Sequence, residues 1–183
     1  MITALILAGG RATRMGGADK PALVVGGEPI FARQVRVLAP RVTEIVVAAN
    51  TAHPLYAGHR VVPDAIEGAG PLAGVAAGLA ACATPWLLVV AGDMPDLTGA
   101  LIDRITSAIA PGRDAVGIRI RGLPEPLVCA LRAAAAAPAL DAMLAEGVRK
   151  ASALLTDRGL ATTWIDDVDP AVVRNVNTPA DLI

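Results

Sequence analysis

The chain has 183 residues, with 16 Lys and Arg against 17 Asp and Glu, two cysteines and a formal net charge of −1. That length suits one domain with a real core, and the near-neutral balance argues against a broad basic face for duplex nucleic acid. Two distant cysteines, Cys82 and Cys129, fit a reducing compartment without a disulfide framework, and the few aromatics (Phe31, Tyr56, Trp86, Trp164) make a poor stacking platform for single strands.

Thr3 to Ala8 is a short apolar run ending at Gly9-Gly10, the pattern of a strand buried on both faces of a parallel sheet. Arg11 and Arg14 follow this run rather than precede it, so it is not read as a signal peptide. A loop runs to Lys20. Pro29 opens a helix to about Leu38, with Phe31, Val35 and Leu38 on one face and Pro40 as the stop. Glu44 to Ala49 reads as a second strand and Arg60 to Val62 as a third, ending at Pro63-Asp64. Residues 68 to 92 carry no charge, but repeated Gly and Pro break the stretch. It reads as a helix from Leu72 to Cys82, a turn at Thr84-Pro85 and a strand from Trp86 to Ala91, not as a membrane span. Thr98 caps a helix to about Ile109, with Leu101, Ile102 and Ile105 turned inward. Strands at Ala115–Ile120 and Leu127–Leu131 follow, then short helices near Pro138–Ala145 and Ser152–Leu155. A late strand spans Thr162–Ile165, and Pro179 opens a terminal helix. Alternating strands and helices predict a layered α/β fold, and the later departure from alternation predicts a mixed sheet.

Two segments carry chemistry. The first is the loop Leu7-Ala8-Gly9-Gly10-Arg11-Ala12-Thr13-Arg14-Met15-Gly16-Gly17-Ala18-Asp19-Lys20. Glycines after a buried strand let main-chain N–H groups approach phosphate oxygens, and Arg11, Arg14 and Lys20 can offset a triphosphate's charge. Neither standard nucleotide loop fits: Pro21 follows Lys20 where a P-loop needs Ser or Thr, and adjacent Gly9-Gly10 does not give G-x-G-x-x-G. The second segment is the strand that delivers Asp93 at its C-terminal end, the side of an open α/β sheet where ligands bind. A lone carboxylate there suits Mg²⁺, which is held by one or two carboxylates together with substrate phosphates and water. The same aspartate also fits a turn cap. Asp64, ending another strand, has the same two readings. Gly70-Pro71-Leu72-Ala73-Gly74 reads either as a tight start to a helix or as backbone approaching a nucleobase. Asn175-Val176-Asn177-Thr178-Pro179 reads as a helix cap or as paired amides. His53 and His59 read as solvated loop residues, and both cysteines as core thiols.

Together these segments resemble the molybdenum cofactor guanylyltransferases, the MobA-type family. LAGGRATRMGGADK is similar to that family's nucleotide signature, and GPLAG, Asp93-Met94-Pro95, Pro126-Leu127 and NVNTPADL occur in the family's order. The first motif is shared with the wider nucleotidyltransferases; its combination with NVNTP is narrower. The resemblance implies a Rossmann-like three-layer fold with a mostly parallel mixed sheet. It implies GMP transfer from GTP to the molybdopterin cofactor with release of pyrophosphate, in the cytoplasm and with Mg²⁺. By the same resemblance Leu7, Ala8, Gly9 and Gly10 contact the nucleotide, Arg14 and Lys20 serve its phosphates, Asn50 and Asp64 lie near the guanosine, and Asp93 is the metal ligand. The N-terminal half then takes the nucleotide and the C-terminal half of residues 1–183 the acceptor, near Asn175, Asn177 and the basic pair Arg149-Lys150. Expected partners are GTP, molybdopterin, other molybdenum cofactor biosynthesis proteins and acceptor apoenzymes, but neither nucleic acid nor membrane. One departure is Gly92, where the family often has Cys. Alternatives are a cytidylyltransferase for the same pterin, a guanylyltransferase for a cobalamin precursor, and a nucleotide-binding protein without catalysis.

Overall fold

The computed structural model describes residues 1–9, 11–12, 18–64, 66, 70–177 and 181. The apolar run after Met1 forms β1 (Ile2–Leu7). Two small hairpins follow, β2 (Arg11–Ala12) with β3 (Ala18–Asp19), and β4 (Val24–Val25) with β5 (Glu28–Pro29). Then come α1 (Ile30–Leu38), β6 (Glu44–Ala48), β7 (Arg60–Val62), α2 (Pro71–Ala81) and β8 (Trp86–Ala91). The second half adds α3 (Gly99–Ser107), β9 (Ala115–Ile120), β10 (Leu123–Arg132), α4 (Ala133–Ala145), α5 (Ala153–Thr156) and β11 (Thr162–Ile165).

Seven strands form one sheet in the order β11-β9-β10-β8-β1-β6-β7. β1 runs parallel to β6 and β8, β6 parallel to β7, and β11 parallel to β9; β10 alone is antiparallel to both its neighbours, β8 and β9. This is the mostly parallel mixed sheet that the sequence predicts. It brings the C-terminal ends of the parallel strands to one edge.

β1 shows why these residues fold this way. Ala4 and Ile6 face one core with α1 and α3, whereas Leu5 faces the other core with α2, α4 and α5. Alternate side chains leave opposite faces of a strand, so a sheet covered on both sides needs apolar residues throughout. Removing the Leu5 side chain beyond Cβ would cost about 2–5 kcal/mol, since Leu5 is fully buried. The Thr98 side chain caps α3 by accepting the Leu101 N–H at 3.3 Å.

Several local expectations shift. Pro29 lies just before α1 and ends a hairpin strand rather than occupying the helix's first turn. α4 starts at Ala133 and carries Pro138 inside it; flanking contacts with α2 and β10 hold a helix that propensity would interrupt. β10 starts at Leu123, because Arg121 (φ 52°) and Gly122 (φ 80°) turn the chain into a hairpin with β9. The histidines are not free in solvent. His53 Nδ1 accepts the Leu55 N–H at 3.1 Å, and the His59 ring meets Phe31 edge-on at 5.6 Å. The expected terminal helix at Pro179 lies outside the described residues. Among the described residues no helix is long and apolar enough to cross a membrane.

Cys129 is buried in β10, and burial, with the Glu125 charge adding to it, pushes its thiol up to about 12. Its native pKa therefore lies above the ordinary thiol value of about 8.5. The native state holds a proton that the unfolded chain gives up, so the stability linked to Cys129 is complete below that ordinary value and falls as pH rises toward the native one. Cys129→Ala should flatten this alkaline decline in chemical denaturation curves. A thiol reagent at pH 8 should modify half-buried Cys82 and spare Cys129, read by peptide mass; equal labelling in the folded protein would contradict the packing.

Candidate functional site

The site is built where β1 and β8 end side by side. Their register pairs Leu7 with Ala91, and the Gly92 N–H donates to Leu7 O at 3.0 Å. A cleft opens at this point, lined by Leu7, Ala8 and Gly9 from the end of β1 and by Gly92 and Asp93 from the end of β8. Pro21, Pro71 and Leu127 complete its wall. The structure thus brings together the first glycine loop, the strand-end aspartate, the Gly70-Pro71 segment and the Pro126-Leu127 segment, which lie far apart in the chain.

Gly92 explains how the two strand ends come so close. A Cβ on this residue would sit 2.6 Å from Leu7 O and 2.9 Å from the Pro21 ring. The departure at this position is therefore a packing requirement of this chain. Because Pro21 packs on Gly92, chain connectivity carries Lys20 to the same cleft: Lys20 begins a 3₁₀ turn, Lys20–Ala22. The Lys20 side chain, Gly10 and Arg14 lie outside the described residues. The pairing of β2 with β3 sets Arg11 opposite Asp19 and closes the base of the loop.

The Gly70-Pro71 segment is a tight start to α2. Gly70 adopts φ 68°, ψ −157°, which side chains disfavour, and Pro71 supplies the first helical residue. Gly74 faces the sheet, where a Cβ would lie 2.9 Å from the Leu7 side chain. These glycines serve turn and packing, while Pro71 reaches the cleft.

Asn50 and Asp64 form a reciprocal pair beside Gly9. Asn50 Nδ2 donates to Asp64 Oδ2 at 2.7 Å, and the Asp64 N–H donates to Asn50 Oδ1 at 2.8 Å. An ideal Cβ on Gly9 would be 3.7 Å from both Asp64 carboxylate oxygens. The pair ties the ends of β6 and β7 together next to the loop.

The C-terminal segment reaches the turn that carries Asp93 through its backbone. The Val176 N–H donates to Asp93 O at 2.8 Å, and Val176 is fully buried while Asn175 and Asn177 are exposed on either side of it. The Asn177 backbone N–H donates to the Asp181 carboxylate at 2.9 Å, and the helix it was expected to cap lies outside the described residues. Arg174 braces this segment, with Nε 3.0 Å from Asp96 Oδ2 and Nη1 2.6 Å from Asp181 O. Arg149 is not brought to Asp93 by any described contact; its guanidinium donates to Val148 O at 3.3 Å and Leu144 O at 3.4 Å.

Two residues at the site escape a reading of motifs. Glu125, in the part of β10 before its pairing with β8, lies near enough to Asp93 for the two carboxylates to interact. Burial holds its carboxyl above the usual range, the Leu127 N–H opposes this by hydrogen bonding, and the Asp93 charge adds to it. A register shift in β10 between Glu125 and Cys129 frees Leu127 to line the cleft. Gln34 sits in the apolar face of α1 with Ile30, Phe31 and Leu38, and it is 1% exposed. A lone amide in an apolar stripe was the signal that could have found it.

The donor set fits Mg²⁺. Among the described residues no three His, Cys, Asp or Glu side chains gather to cage a metal, and Mg²⁺ favours few carboxylates completed by phosphate and water. Asp93, which lines a cleft at a strand end beside Gly9, offers that arrangement.

A mixed sheet with glycine after β1 and a carboxylate after its neighbouring strand is the arrangement of an α/β ligand site, and the chain's relatives make it that of a nucleotidyltransferase. The family model for the MobA-like NTP transferase domain matches residues 4–162, and the chain belongs to that family. It is 37% identical to the molybdenum cofactor guanylyltransferase of Cupriavidus necator, over 99% of this chain and 94% of that one. It is 34% identical to that of Serratia proteamaculans, over 100% and 92%. In fold it resembles the molybdopterin-guanine dinucleotide biosynthesis protein A of Archaeoglobus fulgidus, with a TM-score of 0.80, 23% identity, and 98% and 94% of the two chains covered. The 2-C-methyl-D-erythritol 4-phosphate cytidylyltransferase of Thermus thermophilus superposes with a TM-score of 0.73 at 18% identity, over 97% and 94%.

Gly92→Val should be poorly tolerated. Forcing a branched side chain against Leu7 O should lower stability by about 1–3 kcal/mol and separate the two strand ends, so nucleotide binding should weaken as well. Denaturation midpoints and nucleotide titrations check this; a variant with unchanged values would show that the strand ends do not need their close contact.

Proposed function

We propose that this protein transfers GMP from GTP to the molybdopterin form of the molybdenum cofactor and releases pyrophosphate. The observation that carries this reading is the meeting of the Leu7–Gly9 strand end and Asp93 in one cleft, with the Val176 backbone bonded to the Asp93 carbonyl. The names of the curated relatives support the same reaction.

In this reading an oxygen of the acceptor's terminal phosphate attacks the α-phosphorus of GTP. The bond from the α-phosphorus to the bridging oxygen breaks, and pyrophosphate leaves. No protein nucleophile is needed. The chain's task is to position both phosphates and to neutralise charge where it develops. Backbone groups after Leu7, with Arg14 and Lys20, hold the triphosphate. Asn50 and Asp64 face the guanosine. Asp93 would hold Mg²⁺, which would supply charge to offset the phosphates. The half of the chain after β8 supplies the acceptor side, with Asn175 and Asn177 matching the donors and acceptors of a pterin ring and Arg149 its phosphate. In this reading the protein works in the cytoplasm, alongside other proteins of molybdenum cofactor biosynthesis and acceptor apoenzymes.

A thermal-shift panel tests the nucleotide: GTP should raise the melting temperature more than CTP, ATP or UTP, since selective binding stabilises the fold. Equal shifts would refute guanine selectivity, and a larger shift with CTP would favour the cytidylyl reading. Asp93→Asn should keep the fold and lower pyrophosphate release by about a hundredfold or more; near-normal turnover would remove Asp93 from the mechanism. Lys20→Ala should weaken both GTP binding and turnover. Asn175→Ala and Arg149→Ala should weaken molybdopterin binding and leave GTP binding intact. If neither changes molybdopterin affinity, the acceptor pocket lies elsewhere.

A further inference from the structure

The turn that carries Asp93 is held from three directions. The Gly92 N–H donates to Leu7 O at 3.0 Å and Asp93 O accepts the Val176 N–H at 2.8 Å, so β1 and the C-terminal segment each fix one backbone group. The third hold is a side chain. Gln34 Nε2 donates to Ala91 O at 2.7 Å and to Met94 O at 3.1 Å. These two carbonyls bracket Gly92 and Asp93, so one amide spans the whole turn.

The orientation of this amide is set by chemistry. Both partners are carbonyl oxygens, so the NH₂ group must face them and its two hydrogens serve one acceptor each. That leaves Gln34 Oε1 buried without a described partner. A buried unpaired acceptor lowers stability, and a leucine would fill the same place on the apolar face of α1 beside Phe31 and Leu38 without that loss. The glutamine is therefore poorly accounted for by packing. It is well accounted for by what its nitrogen does: it occupies Ala91 O and Met94 O and adds a third hold on the backbone either side of Asp93.

We infer that Gln34 is a positioning residue for the transfer reaction, fixing the Ala91–Met94 turn so that the Asp93 carboxylate points into the cleft beside the glycine loop. This rests on the metal role given to Asp93 above. Gln34 touches neither substrate nor metal and acts through the backbone of the turn.

The test measures pyrophosphate release from GTP and molybdopterin against Mg²⁺ concentration for the full chain and for Gln34→Leu, Asp93→Asn and the double variant, with GTP affinity measured separately without metal. A misplacement of the carboxylate should lower kcat in Gln34→Leu by about 10- to 100-fold and raise the Mg²⁺ concentration for half-maximal rate. Metal-free GTP affinity should stay within about twofold, since residues that act through one another leave independent sites unchanged. In the Asp93→Asn background the same Gln34 change should cost less than about twofold, because its route to the chemistry is already cut. A merely structural role predicts the opposite: a lower melting temperature with kcat and Mg²⁺ dependence unchanged, or a loss that adds in full to that of Asp93→Asn, and either result overturns the inference. Gln34→Met, which keeps an unbranched chain, serves as a second variant, and failure of both to unfold cooperatively would make Gln34 a core element and also overturn it. Near-normal release by Asp93→Asn would overturn the metal reading and this inference together. An inactive Asp93→Asn beside a Gln34→Leu variant with wild-type Mg²⁺ dependence would overturn the inference alone.

Discussion

The hydrogen bond from the Gly92 N–H to Leu7 O, 3.0 Å long, joins the ends of two parallel strands at a distance that no side chain on residue 92 would permit. Everything at the site follows from that contact. It sets the glycine loop that leaves β1 directly beside the carboxylate that leaves β8. It also leaves space on the open side of the sheet, where the strands diverge into loops, for Pro71 and Leu127 to form a wall. In a parallel sheet the peptide ladder stops at such an edge, and the unpaired backbone groups become available to a ligand.

The edge is also electrostatically incomplete. Asp64 and Asp93 follow strand ends along it, and the half-buried Glu125 is held above the usual carboxylate range by burial, with the Asp93 charge adding to it. Carboxylates alone repel a triphosphate. They suit it only with cations between, which is the division of labour that a strand-end aspartate with Mg²⁺ and a loop carrying Arg11, Arg14 and Lys20 would achieve. The Asn50–Asp64 pair shows a milder solution, in which a side-chain amide and a backbone N–H occupy both partners and tie Asn50 to Asp64.

Long-range polar ties then make the site rigid. Gln34 reaches from α1 to the turn after β8. Arg174 links Asp96 in the segment after that turn to Asp181, while Asp181 accepts from the Asn177 backbone. The last described segment of the chain is in this way fastened to the middle of it. A loop built site gains precision when its backbone polar groups are taken by fixed partners, because each such bond removes one direction of movement.

The sequence by itself determined the elements and the chemistry-bearing segments. β8 and β11 have the predicted limits, Thr98 caps the predicted helix, and the runs Thr3–Ala8 and Trp86–Ala91 read as buried strands because both faces of the sheet are covered. Local periodicity and turn chemistry are written in adjacent residues, so they are legible there. What only the tertiary structure decided is which distant residues meet. The hydrogen bond from Gly92 to Leu7, the contact of Val176 with Asp93 and the reach of Gln34 across the turn depend on strand order and helix placement. The 10-residue length of β10 and the position of Glu125 within it also came from pairing with β9 and β8, which overrode two prolines that locally oppose a strand. Conformational preference acts over a few residues, whereas these contacts join residues 57 or more apart at the Gln34 bridge, and no local pattern encodes them.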